Sequence, residues 1–168
     1  MTKYVLSIVA ENNPNVMARV SSMFARRRFN MTSVTAAQTS DPNVSVITIV
    51  TEGDAHVLDQ AIKQTYKLQE VRSITLLPRN ESLLCETIMI RLAFDEKNIS
   101  LIKDIVEVYR AKIIDLTSSS MVVQLTGKPS KIDGFLEVMS PYHVLEMCRS
   151  GVIGMPRGSQ SDWWKNKA

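Results

Sequence analysis

The clearest candidate for binding chemistry is a polar loop, Glu11-Asn12-Asn13-Pro14-Asn15, which separates a strand pattern from a helical pattern. A helix that begins after this loop leaves backbone N–H groups without acceptors, and its dipole places partial positive charge there. With the carboxamides of Asn12 and Asn13, these donors could hold a small carboxylate ligand such as an amino acid. The pattern is equally well explained if Asn12 or Asn13 only caps its own helix, so both interpretations stay open.

Catalytic chemistry finds little support elsewhere in the sequence, which has no glycine-rich phosphate loop and no HExxH or GxSxG motif. Asp115 and Glu107 come nearest to a carboxylate pair, but a strand-end turn residue and a solvated helix position explain them better. Cys85 and Cys148 lie among apolar residues without metal-ligand spacing to either histidine, and we predict two buried thiols. The sequence therefore predicts no catalytic residues and no metal site in this chain.

Two other clusters could bind a partner, although each has a simpler explanation. The run Arg26-Arg27-Arg28 could contact phosphate, but cations at the end of a helix also stabilise its dipole and its unpaired carbonyls, and we prefer that explanation. Trp163 and Trp164 lie in a polar tail, residues 159–168, where they could pack on a neighbour or anchor a partner. A loosely ordered tail is favoured, and the role of the two tryptophans is left open.

The composition of the 168 residues is typical of a soluble globular chain, with 45% hydrophobic and 22% charged residues. Twenty Lys and Arg against 17 Asp and Glu leave a net charge of +3, which is too small for phosphate-dominated binding of nucleic acid. No segment reaches the roughly 18 apolar residues of a membrane span, and the N-terminus lacks a secretory pattern. We expect a cytoplasmic protein that binds neither nucleic acid nor membrane.

The elements that must position these residues follow the same order in both halves of the chain. In the first half, Leu6 and Ile8 alternate with Ser7 in a strand, and Val16, Val20, Met23 and Phe24 then recur at helical spacing. Strands are predicted over 29–38, 44–50 and 71–77, with a helix after Asp54 between the last two. The second half repeats this βαββαβ order, with strands from 84 and over 112–116, 121–125 and 143–149, and helical stripes beginning at Ile99 and Ile132.

Two such units predict an α+β protein with two antiparallel sheets, each covered by helices on one side and bare on the other. Small units with open faces or edges are expected to pair with another copy. The same element order occurs in RNA-binding modules, which stack bases on aromatic side chains of their central strands. The third strand, residues 44–50, contains no aromatic residue, and this favours amino-acid sensing over RNA binding.

The chain resembles the small, regulatory subunits of acetohydroxyacid (acetolactate) synthase over both halves. No single segment is specific, but their order and spacing together identify the family. The segments that carry the resemblance are Glu11-Asn12-Asn13-Pro14-Asn15-Val16-Met17-Ala18-Arg19-Val20, Phe24-Ala25-Arg26-Arg27-Arg28-Phe29-Asn30-Met31, Tyr109-Arg110-Ala111-Lys112-Ile113-Ile114-Asp115, Ser130-Lys131 and Arg149-Ser150-Gly151-Val152-Ile153-Gly154.

The resemblance implies an N-terminal ACT domain over residues 1–78, a linker over 79–83 and a C-terminal ferredoxin-like, ACT-like domain over 84–158. It implies a subunit without catalytic residues that binds a large subunit carrying thiamine diphosphate, magnesium and FAD. The small subunit then raises acetolactate formation in branched-chain amino-acid biosynthesis and mediates feedback inhibition, with valine as the expected effector. No cofactor is expected in this chain itself.

The resemblance also implies where an effector binds. ACT domains of this kind pair side by side in a homodimer, with effector sites at the subunit interface. Residues of the first loop and helix in one subunit would then face residues of the second strand in the other across a bound amino acid. The residues carried over from the family are Asn12, Asn15, Val16 and Met17 on one side and Asn30 and Met31 on the other.

Three positions depart from the family pattern, since Asn15, Arg28 and Ala111 stand where glycine is usual. Glycine tolerates positive φ and lets a ligand approach the main chain, so Asn15 and Arg28 put valine feedback in doubt. A stand-alone amino-acid-binding regulator of another enzyme or of transcription is the alternative function, although no helix-turn-helix is seen. An enzyme in its own right is the third hypothesis, which turnover of pyruvate by the isolated chain would support.

Overall fold

The computed structural model describes residues 2–26 and 29–158, except for the side chain of Val57. Arg27, Arg28 and the tail with Trp163 and Trp164 lie outside the described residues. The first half contains β1 (Thr2–Glu11), α1 (Val16–Arg26), β2 (Asn30–Gln38), β3 (Val44–Gly53), α2 (Ala55–Tyr66) and β4 (Val71–Leu76). The second contains β5 (Ser82–Ala93), α3 (Ile99–Val108), β6 (Lys112–Leu116), β7 (Ser120–Gly127), α4 (Pro129–Met139) and β8 (Val144–Arg149), followed by β9 (Ile153–Pro156). The predicted βαββαβ order is confirmed in both halves.

Within the described residues the chain forms two compact units, one of residues 2–83 together with 152–158, the other of residues 84–151. The assignment of residues 1–78, 79–83 and 84–158 to two domains and a linker stays a prediction. None of the helices in the described part of the chain is long and apolar enough to cross a membrane.

The first unit is an antiparallel sheet in the order β2-β3-β1-β4, with both helices against one face. Leu6 and Ile8 of β1 are fully buried on that face, as their alternation with Ser7 predicts. They pack with the apolar stripes of α1 and α2, in which Phe24 and Ala61 are also fully buried. Burying these stripes is what fixes the start of α1, and therefore the polar loop before it, against the end of β1.

The opposite face of this sheet is not bare, contrary to the sequence prediction. Ser7 and Val9 of β1 are fully buried there, and Thr48 of β3 is 3% exposed. Val152, 7% exposed, belongs to the same unit, and its backbone N–H donates to Ser33 Oγ of β2 over 3.1 Å. Strand periodicity does not reveal such contacts with residues more than a hundred positions later in the chain.

The second unit is an antiparallel sheet in the order β6-β7-β5-β8, with α3 and α4 on one face. Ile88, Ile90 and Leu92 of β5 are fully buried against those helices, and Phe135 of α4 packs edge-on against Tyr109 with ring centroids 5.3 Å apart. On the other face, Met89 of β5 is 41% exposed, so the bare face predicted from the sequence is present in this unit.

The edge strands of the second unit correct the prediction of two buried thiols. Every residue of β6 and of β8 is exposed. Cys148 lies on β8 and is exposed, whereas Cys85 on β5 is half-buried. The prediction was wrong for Cys148 because apolar neighbours in sequence do not bury a residue of an edge strand, and β8 is at the edge of its sheet in the described part of the chain.

A residue with a strained backbone, Arg110, follows the end of α3. Arg110 has φ +53°, the only positive φ of a non-glycine residue in the described chain, and its N–H donates to the carbonyl of Glu107 over 2.9 Å. This is the left-handed position that follows a helix, where glycine is favoured. We expect Arg110→Gly to raise the free energy of unfolding by about 0.5–1 kcal/mol in chemical denaturation.

The matched control is Arg110→Ala, which removes the same side chain but keeps a Cβ at the strained position. It should leave the free energy of unfolding unchanged to within a few tenths of a kcal/mol. An equal gain in both variants would show that the arginine side chain, and not its backbone conformation, is the source of the strain.

Candidate effector site

The polar loop is held in place mainly by its own asparagines. Asn13 Oδ1 accepts a hydrogen bond from the N–H of Asn15 over 3.3 Å, and the Asn13 carbonyl accepts one from Val16. The carbonyl of Asn15 accepts the N–H of Arg19 and so begins α1. The side chain of Asn13 thus forms a turn within the loop and does not cap α1, because it bonds the N–H of Asn15 and not an N–H in the first turn of the helix.

Asn12 braces the loop against the β2–β3 turn and does not cap the helix. Its Nδ2 donates to the carbonyl of Pro42 over 2.9 Å, and its Oδ1 accepts from Ser45 Oγ over 2.8 Å. Its backbone N–H donates to the carbonyl of Asn43. The carboxamide keeps only one N–H and one lone pair for a ligand, so its first role is structural.

The donors that remain for an anion are backbone groups. Among the residues that the structure describes, the N–H groups of Met17 and Ala18 in the first turn of α1 have no acceptor. They point out of the helix N-terminus, where the dipole favours negative charge. Asn15 does not have positive φ, so its side chain causes no backbone strain here. The doubt about valine feedback at this position therefore concerns only the space that the Asn15 side chain occupies.

The apolar candidate residues leave only limited side-chain surface for a ligand. Val16 is 4% exposed and belongs to the core of the first unit, while Met17 and Met31 are half-buried and packed against that core. Asn30, at the start of β2, has an exposed side chain that makes no hydrogen bond within the described residues. Within the described residues, Asn15 and Asn30 are thus the two candidates with a polar side chain that makes no hydrogen bond.

The structure does not bring the two groups of candidate residues together within one chain. Glu11, next to Asn12, pairs with Val44 at the start of β3, whereas Asn30 pairs with Glu52 near its end. Eight residues of a strand separate these two points, a distance of about 27 Å. A ligand that contacts both groups must therefore bind between two copies of the chain.

A groove beside the loop was not predicted from the sequence. It has a volume of about 940 Å³ and is lined by one face of α1, the end of α2 and the segment before β4. Its wall carries the cations Arg19, Arg26 and Lys67, and Arg19 forms an ion pair with Glu70. The spacing of Arg19 and Arg26 on α1 could have signalled a basic face. Arg26 is the last residue of α1 and Arg19 is already paired, so these cations line the groove along α1 without marking its N-terminal end as an anion site.

The second unit contains a buried ion pair that is structural. Glu86, 4% exposed, accepts two hydrogen bonds of 2.7 Å from Arg149, whose Nη2 also lies 3.2 Å from Asp133. The hydrogen bonds from Arg149 to Glu86 raise the pKa of the guanidinium above its ordinary value, against the opposing effect of burial. This pair was not predicted from the sequence, although Glu86 is in phase with Ile88 and Ile90 on the core-facing side of β5.

Metal chemistry is not indicated in the part of the chain that the structure describes. Within residues 2–26 and 29–158, no three His, Cys, Asp or Glu side chains are grouped so as to hold a metal ion. Asp115, the candidate carboxylate from the sequence, lies 3.4 Å from Arg91 in a surface ion pair, and Glu107 is exposed on α3. The two carboxylates form no shared site.

Comparison with known proteins identifies the family. Residues 85–158 match the model described as the small subunit of acetolactate synthase, and residues 6–73 match the one described as the ACT domain of AHAS small-subunit-like proteins. The acetolactate synthase small subunit of Buchnera aphidicola is 34% identical over 92% of this chain and 98% of its own length. The chain belongs to the acetolactate synthase small-subunit family. The Escherichia coli isozyme 3 small subunit of that family is 35% identical over 93% of this chain and 96% of its own length.

The likeness extends to the fold of a solved family member. The crystal structure of the acetolactate synthase small subunit from Thermotoga maritima covers 95% of this chain and 99% of its own, with a TM-score of 0.85 and 32% identity. The family assignment made from the sequence is thereby confirmed, as is the α+β fold of two βαββαβ units. The effector-binding role of Asn12, Asn15, Val16, Met17, Asn30 and Met31 stays a prediction.

Proposed function

We propose that this chain is the non-catalytic regulatory subunit that binds and activates the large subunit of acetolactate synthase. The observation that carries the proposal is the match of both halves, residues 6–73 and 85–158, to the two domains of this family. Thiamine diphosphate, magnesium and FAD belong in this proposal to the large subunit. The complex acts in the cytoplasm, in the synthesis of valine, leucine and isoleucine, and binds neither nucleic acid nor membrane.

The same proposal includes a homodimer formed through β2. This strand is at the edge of the first sheet, so one side of its backbone is available for pairing. If two β2 strands pair antiparallel about a two-fold axis at Val34, the middle of the strand, Asn30 of the second copy lies opposite Gln38. Gln38 pairs with Ser45, whose hydroxyl donates to Asn12. Such pairing supports a site between the loop of one copy and Asn30 of the other.

Valine is the effector that this site would bind. The free N–H groups of Met17 and Ala18 and the dipole of α1 would hold its carboxylate, and the carboxamide of the second copy's Asn30 would take its ammonium group. The half-buried side chains of Met17 and Met31 offer apolar surface to the valine methyl groups. An isolated monomer offers only half of these contacts, so binding and dimerisation should be linked.

Titration of purified large subunit with this chain tests the regulatory function directly. We expect acetolactate formation to rise and to saturate at a fixed ratio of the two subunits, and valine to reduce the activity of the complex but not that of the large subunit alone. No change in activity, with a dimer that still binds valine, would favour the stand-alone regulator. Acetolactate formation by the isolated chain would contradict the non-catalytic role.

A further inference from the structure

A single backbone residue, Val152, is bound at both its polar groups by two side chains of β2. Its N–H donates to Ser33 Oγ over 3.1 Å, and its carbonyl accepts from Thr35 Oγ1 over 2.7 Å. Ser33 and Thr35 are two residues apart on a strand and therefore point to the same face of the sheet. The two hydroxyls therefore reach both polar backbone groups of one residue from the same face of the sheet.

Burial makes these two hydrogen bonds necessary for this position. Val152 is 7% exposed, and a buried N–H or carbonyl without a partner destabilises the state in which it occurs. Alternating hydroxyl residues on an edge strand normally indicate a solvent-exposed face. Here Ser33 and Thr35 are half-buried and serve as the partners of a segment more than a hundred residues later in the chain.

We propose that Ser33 and Thr35 are positioning residues that latch Val152 onto β2. The latch couples β2, which begins at the effector candidates Asn30 and Met31, to the segment that follows residue 151. Val152 directly follows Gly151, where the chain passes from residues 84–151 back to the first unit, and Gly151 has φ +80°. The strand that carries the latch also carries Asn30 and Met31. The latch rests on the geometry alone, whereas its regulatory consequence rests on the proposed function.

Two features of β2 let it transmit a change at Asn30 to the latch. Within the described residues of one chain β2 pairs with β3 only, its other edge being the one proposed to pair with a second copy, and its register with β3 shifts between Met31 and Ser33. A ligand or second copy that moves the start of β2 therefore changes the position of the two hydroxyls. Linkage then requires the reverse effect, so opening the latch must change effector affinity.

Amide hydrogen exchange on the full-length protein tests the latch itself. In the double variant Ser33→Ala, Thr35→Val, we expect the amide of Val152 to exchange at least about tenfold faster, while β1 and β3 keep their protection. The control is Thr32→Val on the same strand. It removes a hydroxyl that lies 3.4 Å from the carbonyl of Val50 and is not part of the latch, so exchange at Val152 should stay as in the wild type. Unchanged exchange at Val152 in the double variant would overturn the latch.

Inhibition of the complex with the large subunit by valine tests the regulatory consequence. The double variant should activate as well as the wild type, but should need about fivefold or more valine for half inhibition, within the usual range of allosteric coupling. Faster exchange at Val152 with an unchanged valine response would overturn the coupling and leave the latch as a structural contact. If the wild-type chain fails to activate, the proposed function fails, and the exchange experiment still decides the latch.

Discussion

Replacing Arg149 by alanine should lower the free energy of unfolding by about 3 kcal/mol, because it leaves the carboxylate of Glu86 buried and unpaired. Glu86 is 4% exposed, and Arg149 supplies two hydrogen bonds of 2.7 Å to its two oxygens. The guanidinium side chain is 34% exposed, so water can enter part of the space it vacates, and we expect the lower end of the range known for broken buried ion pairs. Chemical denaturation of the full-length protein measures the loss.

Two further variants show whether the buried carboxylate is the cause. Asp133→Asn removes only the exposed partner of Arg149, 3.2 Å away, and should cost less than about 1 kcal/mol. Adding Glu86→Gln to Arg149→Ala removes the unpaired charge and should restore part of the stability. A double variant no more stable than Arg149→Ala would mean that lost packing of the arginine, and not the orphaned charge of Glu86, destabilises the protein.

A substitution on either side of the proposed dimer interface should weaken effector binding. Asn15→Asp keeps a residue type equally favoured at the position before a helix but adds a negative charge beside the free N–H groups, so it should repel the valine carboxylate. Asn30→Ala removes the free carboxamide on β2. Each homodimer should bind valine at least about tenfold more weakly in calorimetry, with folding intact. Asn80→Ala, at an exposed site outside the described helices and strands, is the matched control.

Mixing the two variants separates an interface site from a site within one chain. A dimer of one Asn15→Asp chain and one Asn30→Ala chain contains one doubly altered site and one intact site. We expect valine binding of wild-type affinity at half the wild-type stoichiometry. No recovery in the mixed dimer would show that both residues act within one chain or that the effector binds elsewhere.

Much of the fold could be read from local patterns, because strands and helices bury one side of a repeating sequence. Leu6 and Ile8 alternating with Ser7 identified the helix-covered face of β1. The same pattern could not show that Ser7 and Val9 are buried as well, since their cover depends on other parts of the chain. Likewise, apolar neighbours suggested a buried Cys148, which is exposed because β8 is at the edge of its sheet.

The candidate site was only partly accessible to sequence reasoning. The polar loop and the start of α1 were located correctly, since a run of asparagines and proline before a helical stripe is a local signal. The sequence could not show that Asn12 is already bonded to Pro42 and Ser45, or that the free donors are the backbone groups of Met17 and Ala18. Those facts depend on the turn that β1 meets at its end.

By itself, the sequence determined the order of elements, the two βαββαβ units and the small-subunit family, because each follows from local periodicity or from segments in a fixed order. Only the tertiary structure decided which residues far apart in the sequence form hydrogen bonds with each other. Glu86 meets Arg149 across 63 residues, and Ser33 meets Val152 across 119. The physical reason is that a hydrogen-bond partner is selected by how sheets and loops pack, and residues so far apart share no periodic pattern through which one predicts the other.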